Sequence, residues 1–266
     1  LENVRGGRIA MIFQDPSSSL NPVIRVGRQI EEAVQLHRRL KGPAARAEAL
    51  RLMELVGIPD AARRIDNYPH EFSGGQNQRL MIAMALAGNP DILIADEPTT
   101  ALDATIQAQI LDLLAALRAE TGMAVVFISH DLGAVSQICE RVSVMYAGRI
   151  VEQARTEALF AAPRHPYTHG LFDSIPSLDG GRNRLIPIEG TVPEPGKLPP
   201  GCAFSPRCLS ASDLCARSFP RFGVPQDDAG EGRMVACFHP YPAASHLLPS
   251  MGGRVSIPPR KRATAQ

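Results

Sequence analysis

The sequence predicts an α/β fold on a parallel sheet, continued by a proline- and cysteine-rich extension. Three observations predict it. Apolar runs of strand length, RIAMIF (residues 8–13), ILIA (92–95) and AVVFI (124–128), each end in polar residues. Helical apolar spacing lies between them, and strand, helix, strand is a βαβ unit, whose strands pair in parallel. Beyond about residue 154 the prolines crowd together (Pro163, Pro166, Pro176, Pro187, Pro193, Pro195, Pro199, Pro200), and four of the five cysteines lie there too.

RIAMIF reads as a buried strand ending at Gln14, and Asp15-Pro16 with Asn21-Pro22 marks the loop after it. Over residues 26–56, Ile30, Ala33 and Val34, then Leu52, Leu55 and Val56, recur at helical spacing. Gly42-Pro43 divides this stretch into two helices, and Gly57-Ile58-Pro59 stops the second. Ser73-Gly74-Gly75-Gln76 fits the S-x-x-Q capping box, in which serine and glutamine satisfy backbone N–H groups reciprocally. Leu80, Ala83, Met84 and Ala87 share one face of the helix that follows.

ILIA reads as a buried strand of a parallel sheet, ending in Asp96-Glu97. A helix over residues 106–119 turns Ile110, Leu113, Leu114 and Leu117 inward. AVVFI is another buried strand, ending at Ser129-His130. Residues 132–141 form a crossover helix, and VSVMYAGRIV (142–151) a hairpin turning at Ala147-Gly148. No internal repeat is visible.

Composition excludes several classes. The formal charge of +1 opposes a nucleic-acid binder that runs on bulk electrostatics. No apolar run approaches the roughly 18 residues that span a membrane, and no signal-peptide pattern opens the chain. Leu1 is not a methionine and the chain reads straight into a strand, which points to a missing N-terminal part. The expectation is a soluble, cytoplasmic protein.

Several residues carry candidate chemistry. A carboxylate at the C-terminal end of a buried parallel strand points into the crevice where such sheets bind ligands. Asp96 suits a metal, and Glu97 suits orienting or deprotonating a water. His130 and Gln14 also stand at strand ends, where they could reach a phosphate, a metal or an attacking water. Each glycine in a helix's first turns risks up to about 1 kcal/mol against alanine. Gly74-Gly75 at a helix N-terminus suits an anion. Taken singly, the acid pair and His130 are better explained as ordinary strand-end turn residues, Gln14 carries almost no signal, and the glycines fit a plain helix cap as well as an anion site.

Their order is more specific: strand-end Gln14, then FSGGQ (72–76), ILIADE (92–97), Ala101-Leu102-Asp103, and strand plus His130. In this order the sequence resembles the nucleotide-binding subunits of ABC transporters. Gln14 matches the Q-loop, FSGGQ the signature, ILIADE the Walker B strand, Asp103 the D-loop and His130 the switch histidine. The resemblance implies an ABC-type P-loop NTPase core with a helical subdomain at about residues 25–90. It implies ATP as ligand, with Ser73, Gly74, Gly75, Gln76, Gln14 and Asp103 at nucleotide. Asp96 and Gln14 would serve Mg²⁺, with Glu97 and His130 catalytic.

HPYTHGLFDSIP (165–176) and IEGTVPEPGKLPPGCAFSPRC (188–208) resemble the C-terminal extension of oligopeptide and dipeptide importer ATPases, shared by nickel-carrying relatives. The expected domains are thus an ATPase part at 1–153 and an extension at 154–266, with a cysteine-rich segment at 202–237 and a disordered tail. The family's phosphate loop, G-x-x-x-x-G-K-[ST], occurs nowhere in the 266 residues. Gly190 to Lys197 has five intervening residues, Leu198 in place of Ser or Thr, and prolines where a helix should begin, so it is no substitute. The resemblance therefore implies an incomplete core, inactive alone. Its implied partners are a second ATPase subunit, alike or different, two membrane permeases and, indirectly, an extracytoplasmic binding protein, with no nucleic acid. The chain would sit peripherally on the cytoplasmic face of the membrane, with residues 26–56 meeting the permease through exposed apolar surface.

Cys202, Cys208, Cys215 and Cys237 are separated by five, six and twenty-one residues, neither a tight C-x₂-C zinc pattern nor a ferredoxin spacing. Free thiols and a metal staple both remain open on spacing alone. The resemblance adds that some family members hold an iron–sulfur cluster here, of the 4Fe–4S kind. Cys139 reads as a small core residue. Two rivals stand beside the importer: a non-transport ABC ATPase, and a non-catalytic subunit that lends FSGGQ to a partner.

Overall fold

The computed structural model describes residues 4–100, 102–174, 187–194, 196–225 and 232–242. The expected tail lies outside these residues. The chain forms two compact units, 1–138 and 139–266. The second begins before the hairpin, ahead of the expected boundary at 153/154, because the hairpin pairs and packs within the second unit.

In the first unit, β1 (Ile9–Ile12), β2 (Ile92–Asp96) and β3 (Ala124–Ile128) form a parallel sheet in that order. Ile12 registers with Ala95 and Ala95 with Phe127, so the three strands end together at one edge. Between β1 and β2 run α1 (Pro16–Ser19), α2 (Val26–Arg38), α3 (Pro43–Leu55), α4 (Ala61–Arg64) and α5 (Gly74–Leu86). The predicted break at Gly42-Pro43 holds: Gly42 takes φ +57°, and Pro43 is the first residue of α3, where its missing N–H costs nothing. Val26, Ile30, Val34, Ala49, Leu52, Met53, Leu80 and Ile82 form the core of this helical region.

α6 (Ala104–Thr121) links β2 to β3, longer at both ends than predicted. It starts where Asp103 caps it and stops at Gly122, whose φ of +71° suits a left-handed C-cap. Ile110, Leu114 and Leu117 are buried as expected, with Leu113 packed beside them. α7 (Leu132–Ile138) ends sooner than predicted, because Arg141 already opens the next strand.

The sheet departs from the expectation of buried strands. Ala10, Ile12, Leu93 and Ala95 are buried, but Ile9, Met11, Val126 and Ile128 are 36–50% exposed. Side chains alternate across a strand, and among the described residues the unit covers one face of this sheet only. The expected apolar surface of residues 26–56 also contracts. Among the described residues there, Leu36 is the exposed large hydrophobic, with Val23 and Ile24 just before α2, because the other apolar side chains fill the core.

In the second unit, β4 (Arg141–Tyr146) and β5 (Arg149–Arg155) form the expected hairpin, with Ala147 and Gly148 at φ +46° and +78° in its two-residue turn. α8 (Thr156–Ala161), α9 (Pro166–Asp173) and α10 (Asp213–Arg217) follow, and β6 (Met234–Val235) pairs with β5. Glu152 on β5 is fully buried. Its carboxylate accepts from Arg164 N at 2.9 Å, His165 N at 2.9 Å and Arg233 Nη1 at 3.1 Å. Arg233 also donates to the carbonyls of Ala158 and Ala162. A buried charge persists when paired and hydrogen-bonded, so this network anchors β5, the end of α8 and the start of α9.

Candidate functional site

The common edge of the three strands gathers the first site. Glu97 follows β2 directly, donates its N–H to Ile128 O at the end of β3 (2.9 Å), and takes φ +45°. Thr100 N bonds back to Glu97 O at 3.1 Å and closes the turn. A positive φ in a residue with a Cβ is a strained conformation of the kind held at functional sites. Here it aims the carboxylate at three donors. Gln14 Nε2 reaches Oε2 at 2.8 Å, Thr100 Oγ1 reaches the same oxygen at 2.9 Å, and His130 Nδ1 lies 3.0 Å from Oε1. An ionised carboxylate only accepts, so Nδ1 carries the hydrogen.

These donors hold the Glu97 carboxyl below its ordinary range, the His130 contact most and the Thr100 hydroxyl next, against a smaller opposing effect of burial. The loop carrying His130 is itself fixed. Asp131 N bonds to Ser129 Oγ, Asp131 Oδ1 accepts from Gly133 N and Ala134 N, and Asp131 Oδ2 accepts from Gln107 Nε2 of α6 at 2.7 Å.

The predicted residues divide. Gln14, Glu97 and His130 come together as expected. Gln14 turns its amide nitrogen to Glu97. Asp96 shares the uncovered sheet face with Ile94 and Ile128, by strand register. Asp103 uses Oδ1 to cap α6 at Thr105 N and Ile106 N. Its cap is a structural role that the sequence reading passed over.

The capping box at Ser73 forms: Ser73 Oγ accepts from Gln76 N at 3.3 Å, and Gln76 Oε1 accepts from Ser73 N at 3.1 Å. The two glycines have different reasons to be small. A Cβ on Gly75 would lie 2.6 Å from Ile106 Cγ2, so α5 can approach α6 only with glycine there. A Cβ on Gly74 would meet nothing within 4 Å, so packing does not require glycine there. Among the described residues, no hydrogen bond joins this helix start to Glu97.

The second site lies in the second unit. Cys202, Cys208, Cys215 and Cys237 line one pocket with His165, Phe204, Ser210 and His239. All four are free thiols. A short 3-10 turn at Ser205–Arg207 and the helix α10 present three of them, and Cys202 N bonds Cys215 O at 2.8 Å. Burial raises the Cys202 and Cys208 thiols and pushes Cys237 up to about 12. Backbone N–H groups act the opposite way: Phe204 and Ser205 on Cys202, Ser210 on Cys208, and His239 on Cys237 at 3.3 Å. Among the described residues, no three His, Cys, Asp or Glu side chains are grouped so as to hold a metal ion.

The HPYT segment is also explained here. His165 accepts Tyr167 N on Nδ1 at 3.0 Å and so caps α9, with Pro166 at its first position. The Tyr167 ring packs on Tyr146 and Phe204 at centroid distances of 4.7 and 5.4 Å. Sequence reasoning missed Thr100, Gln107, Asp131, Glu152, Arg233 and His165. Only Thr100, in the turn after two acids, left a local signal.

The family description "ABC transporter" matches residues 2–100. Solved structures titled as the ATP-binding cassette MJ0796 bound to ADP and Pi, and cbiO1 from Clostridium perfringens, align at TM-scores of 0.50 and 0.52. They are 31% and 30% identical, over 57% and 58% of this chain and 64% and 60% of theirs. Fold and ordered site together define an ABC-type ATPase cassette. A second description, "Oligopeptide/dipeptide transporter, C-terminal region", matches residues 151–215. The oligopeptide transport ATP-binding protein AppD of Bacillus subtilis is 48% identical over 235 residues, 88% of this chain and 70% of its own length. The corresponding OppD of Haemophilus influenzae is 51% identical over 215 residues, 81% of this chain and 67% of its own length. The chain belongs to the family of oligopeptide/dipeptide ABC transporter ATP-binding proteins. It spans 66%, just under two thirds, of the length of Brucella relatives that are 56% identical over 220 residues. Among the described residues, no helix is long and apolar enough to cross a membrane.

Proposed function

We propose that this chain is the larger part of the ATP-binding subunit of an ABC importer, coupling ATP hydrolysis to uptake of dipeptides or oligopeptides. The observation that carries the reading is the Glu97 carboxylate, held by Gln14, Thr100 and His130 at the common end of three parallel strands. A carboxylate offers about four acceptor positions. Three are engaged, which leaves one for a water hydrogen. Glu97, kept ionised by its donors, would orient that water and accept its proton as the water attacks the terminal phosphate. Asp96 and Gln14 Oε1 are the oxygen donors Mg²⁺ takes. This ion commonly uses one or two protein carboxylates and completes its shell with water and phosphate. When bound, it neutralises phosphate charge.

The loop that cradles phosphates is absent from the 266 residues. The relatives' greater length supports placing it in another portion of a longer protein. The ATPase part is placed at 1–153 and the extension at 154–266; the matches at 2–100 and 151–215 support the two parts but not the exact cut, since the hairpin packs within the second unit. Gly74, free of neighbours, would face a nucleotide held by a second subunit, as in a head-to-tail pair. A solved relative titled as dimeric, MJ0796, supports such pairing at a TM-score of 0.51. Permease subunits would hold the assembly on the cytoplasmic face of the membrane, near Val23, Ile24 and Leu36.

In the complete subunit, Glu97→Gln should bind ATP normally and lose about 10²- to 10⁴-fold in turnover. Unchanged turnover in that variant would sink the catalytic assignment. The 266 residues alone should neither bind nor hydrolyse ATP appreciably.

We also read the four-thiol pocket as the site of an iron–sulfur cluster. Buried sulfurs that already receive backbone N–H groups favour the thiolate, yet burial without a cation keeps them protonated. A bound cation resolves that conflict. Four cysteines line one pocket, the number of thiolates that a 4Fe–4S cluster takes. The cluster would supply electron-transfer or structural chemistry; the chain supplies the thiols and the N–H donors around them.

A further inference from the structure

We propose that His165 is a positioning residue of the thiol pocket, its Nε2–H donating to the sulfur of whatever cluster the four cysteines hold. This rests on the cluster reading above. His165 is 1% exposed and lines the pocket with Cys202, Cys208, Cys215 and Cys237. Its Nδ1 accepts from Tyr167 N, so in the neutral ring the hydrogen sits on Nε2. Burial lowers the imidazole to about 4, which keeps the ring neutral at physiological pH. Nε2 is buried and meets no acceptor among the described residues. Leaving a buried donor unmet costs roughly 1–3 kcal/mol, and the cap on α9 does not use Nε2, since an asparagine could also supply it.

The ring is held stiffly. Its backbone N–H is bonded to the buried Glu152 carboxylate at 2.9 Å, and its face lies 5.9 Å from the Phe204 ring, tilted by 54°. Four cysteine sulfurs line the same pocket. A neutral N–H donor facing sulfur stabilises the more negative, reduced state of a cluster. Hydrogen bonds to cluster sulfurs are among the factors that set its potential. The histidine of the HPYT segment would thus tie the start of α9 to the electronic state of the pocket.

Two substitutions separate its duties. His165→Asn keeps an acceptor for Tyr167 N but loses the reach into the pocket, whereas His165→Gln keeps a donor at the position of Nε2. The experiment purifies the complete protein anaerobically, reconstitutes it with ferrous iron and sulfide, and measures iron, sulfide, zinc and midpoint potential. The expected result is iron and sulfide in wild type and in both variants, with a more negative potential in His165→Asn and recovery toward wild type in His165→Gln. Equal potentials in wild type and His165→Asn overturn the role of His165 and leave the cluster reading standing. Loss of all iron in His165→Asn makes the histidine structural and overturns it too. Iron-free wild type, or zinc alone, overturns the cluster reading itself, and Cys215→Ser retaining full iron does the same.

Discussion

The two sites set hydrogen bonding and burial against each other with opposite outcomes. At the strand ends, Glu97 is partly open, and three side-chain donors hold its charged form, so its carboxyl falls below the ordinary range. In the thiol pocket, backbone donors also favour the charged form of the sulfurs, but burial wins and Cys237 rises to about 12. His165 beside it falls to about 4 for the same reason, burial disfavouring the charged ring. The first site is built to be charged in water. In the second, burial favours the neutral thiols. Damage to the first should therefore appear in rates, and damage to the second unit in stability.

The largest expected effect in stability is at Arg233. Its guanidinium faces Glu152, which is fully buried, and replacing it with methionine removes that ion pair and hydrogen bond while the Arg164 and His165 N–H donors stay. Breaking a buried pair by removing one partner costs about 3–5 kcal/mol. Arg233→Met should lower the denaturation midpoint accordingly, while leaving the hydrogen bonds of Glu97 untouched. A midpoint within about 1 kcal/mol of wild type would show that the second unit is not anchored by this pair.

Next come the two glycines of the signature helix, which contrast packing with ligand access. Gly75→Ala drives a Cβ to 2.6 Å from Ile106 Cγ2 and should destabilise by about 1–3 kcal/mol. Gly74→Ala has open space and should fold as wild type. In mixed dimers of the complete subunit, Gly74→Ala should impair hydrolysis at the partner's site and spare its own chain's site. Thermal melts and mixed-dimer turnover check the pair; equal melts for the two variants would erase the distinction.

How far these features were legible follows from how local their causes are. The strands, the break at Gly42-Pro43, the hairpin at Ala147-Gly148 and the cap at Ser73 are decided by residues within a few positions of one another, and the sequence carried them. Gln14, Glu97 and His130 could be named because each ends a strand, and parallel strands end together. Thr100 and Asp131 escaped because their role is a bond across a turn or to another helix. The exposed face of β3 escaped as well: AVVFI is apolar throughout, and periodicity cannot say whether anything covers it. Glu152 and Arg233 are 81 positions apart, and a glutamate inside an edge hairpin looks solvent-facing. His165 is a proline-flanked loop residue until Tyr167 N and the cysteines are seen around it.

The smallest expected effect tests how finely the open site is tuned. Thr100→Val removes one hydroxyl donor from Glu97 Oε2 and keeps the shape of the side chain. The sign follows from linkage. A depressed carboxyl contributes stability above its unfolded value, and that contribution is lost as pH falls through the folded value. Without Thr100 the Glu97 carboxyl should rise toward its ordinary value, with His130 still holding it down as the larger cause. The acid limb of the turnover profile should therefore move to higher pH, and turnover near neutrality should fall about fivefold, the equivalent of one hydrogen bond of roughly 1 kcal/mol. His130→Ala should move the same limb further in the same direction. A profile that moves to lower pH in Thr100→Val would mean that the hydroxyl accepts from a neighbour rather than donating to Glu97, and the three-donor grip would reduce to Gln14 and His130.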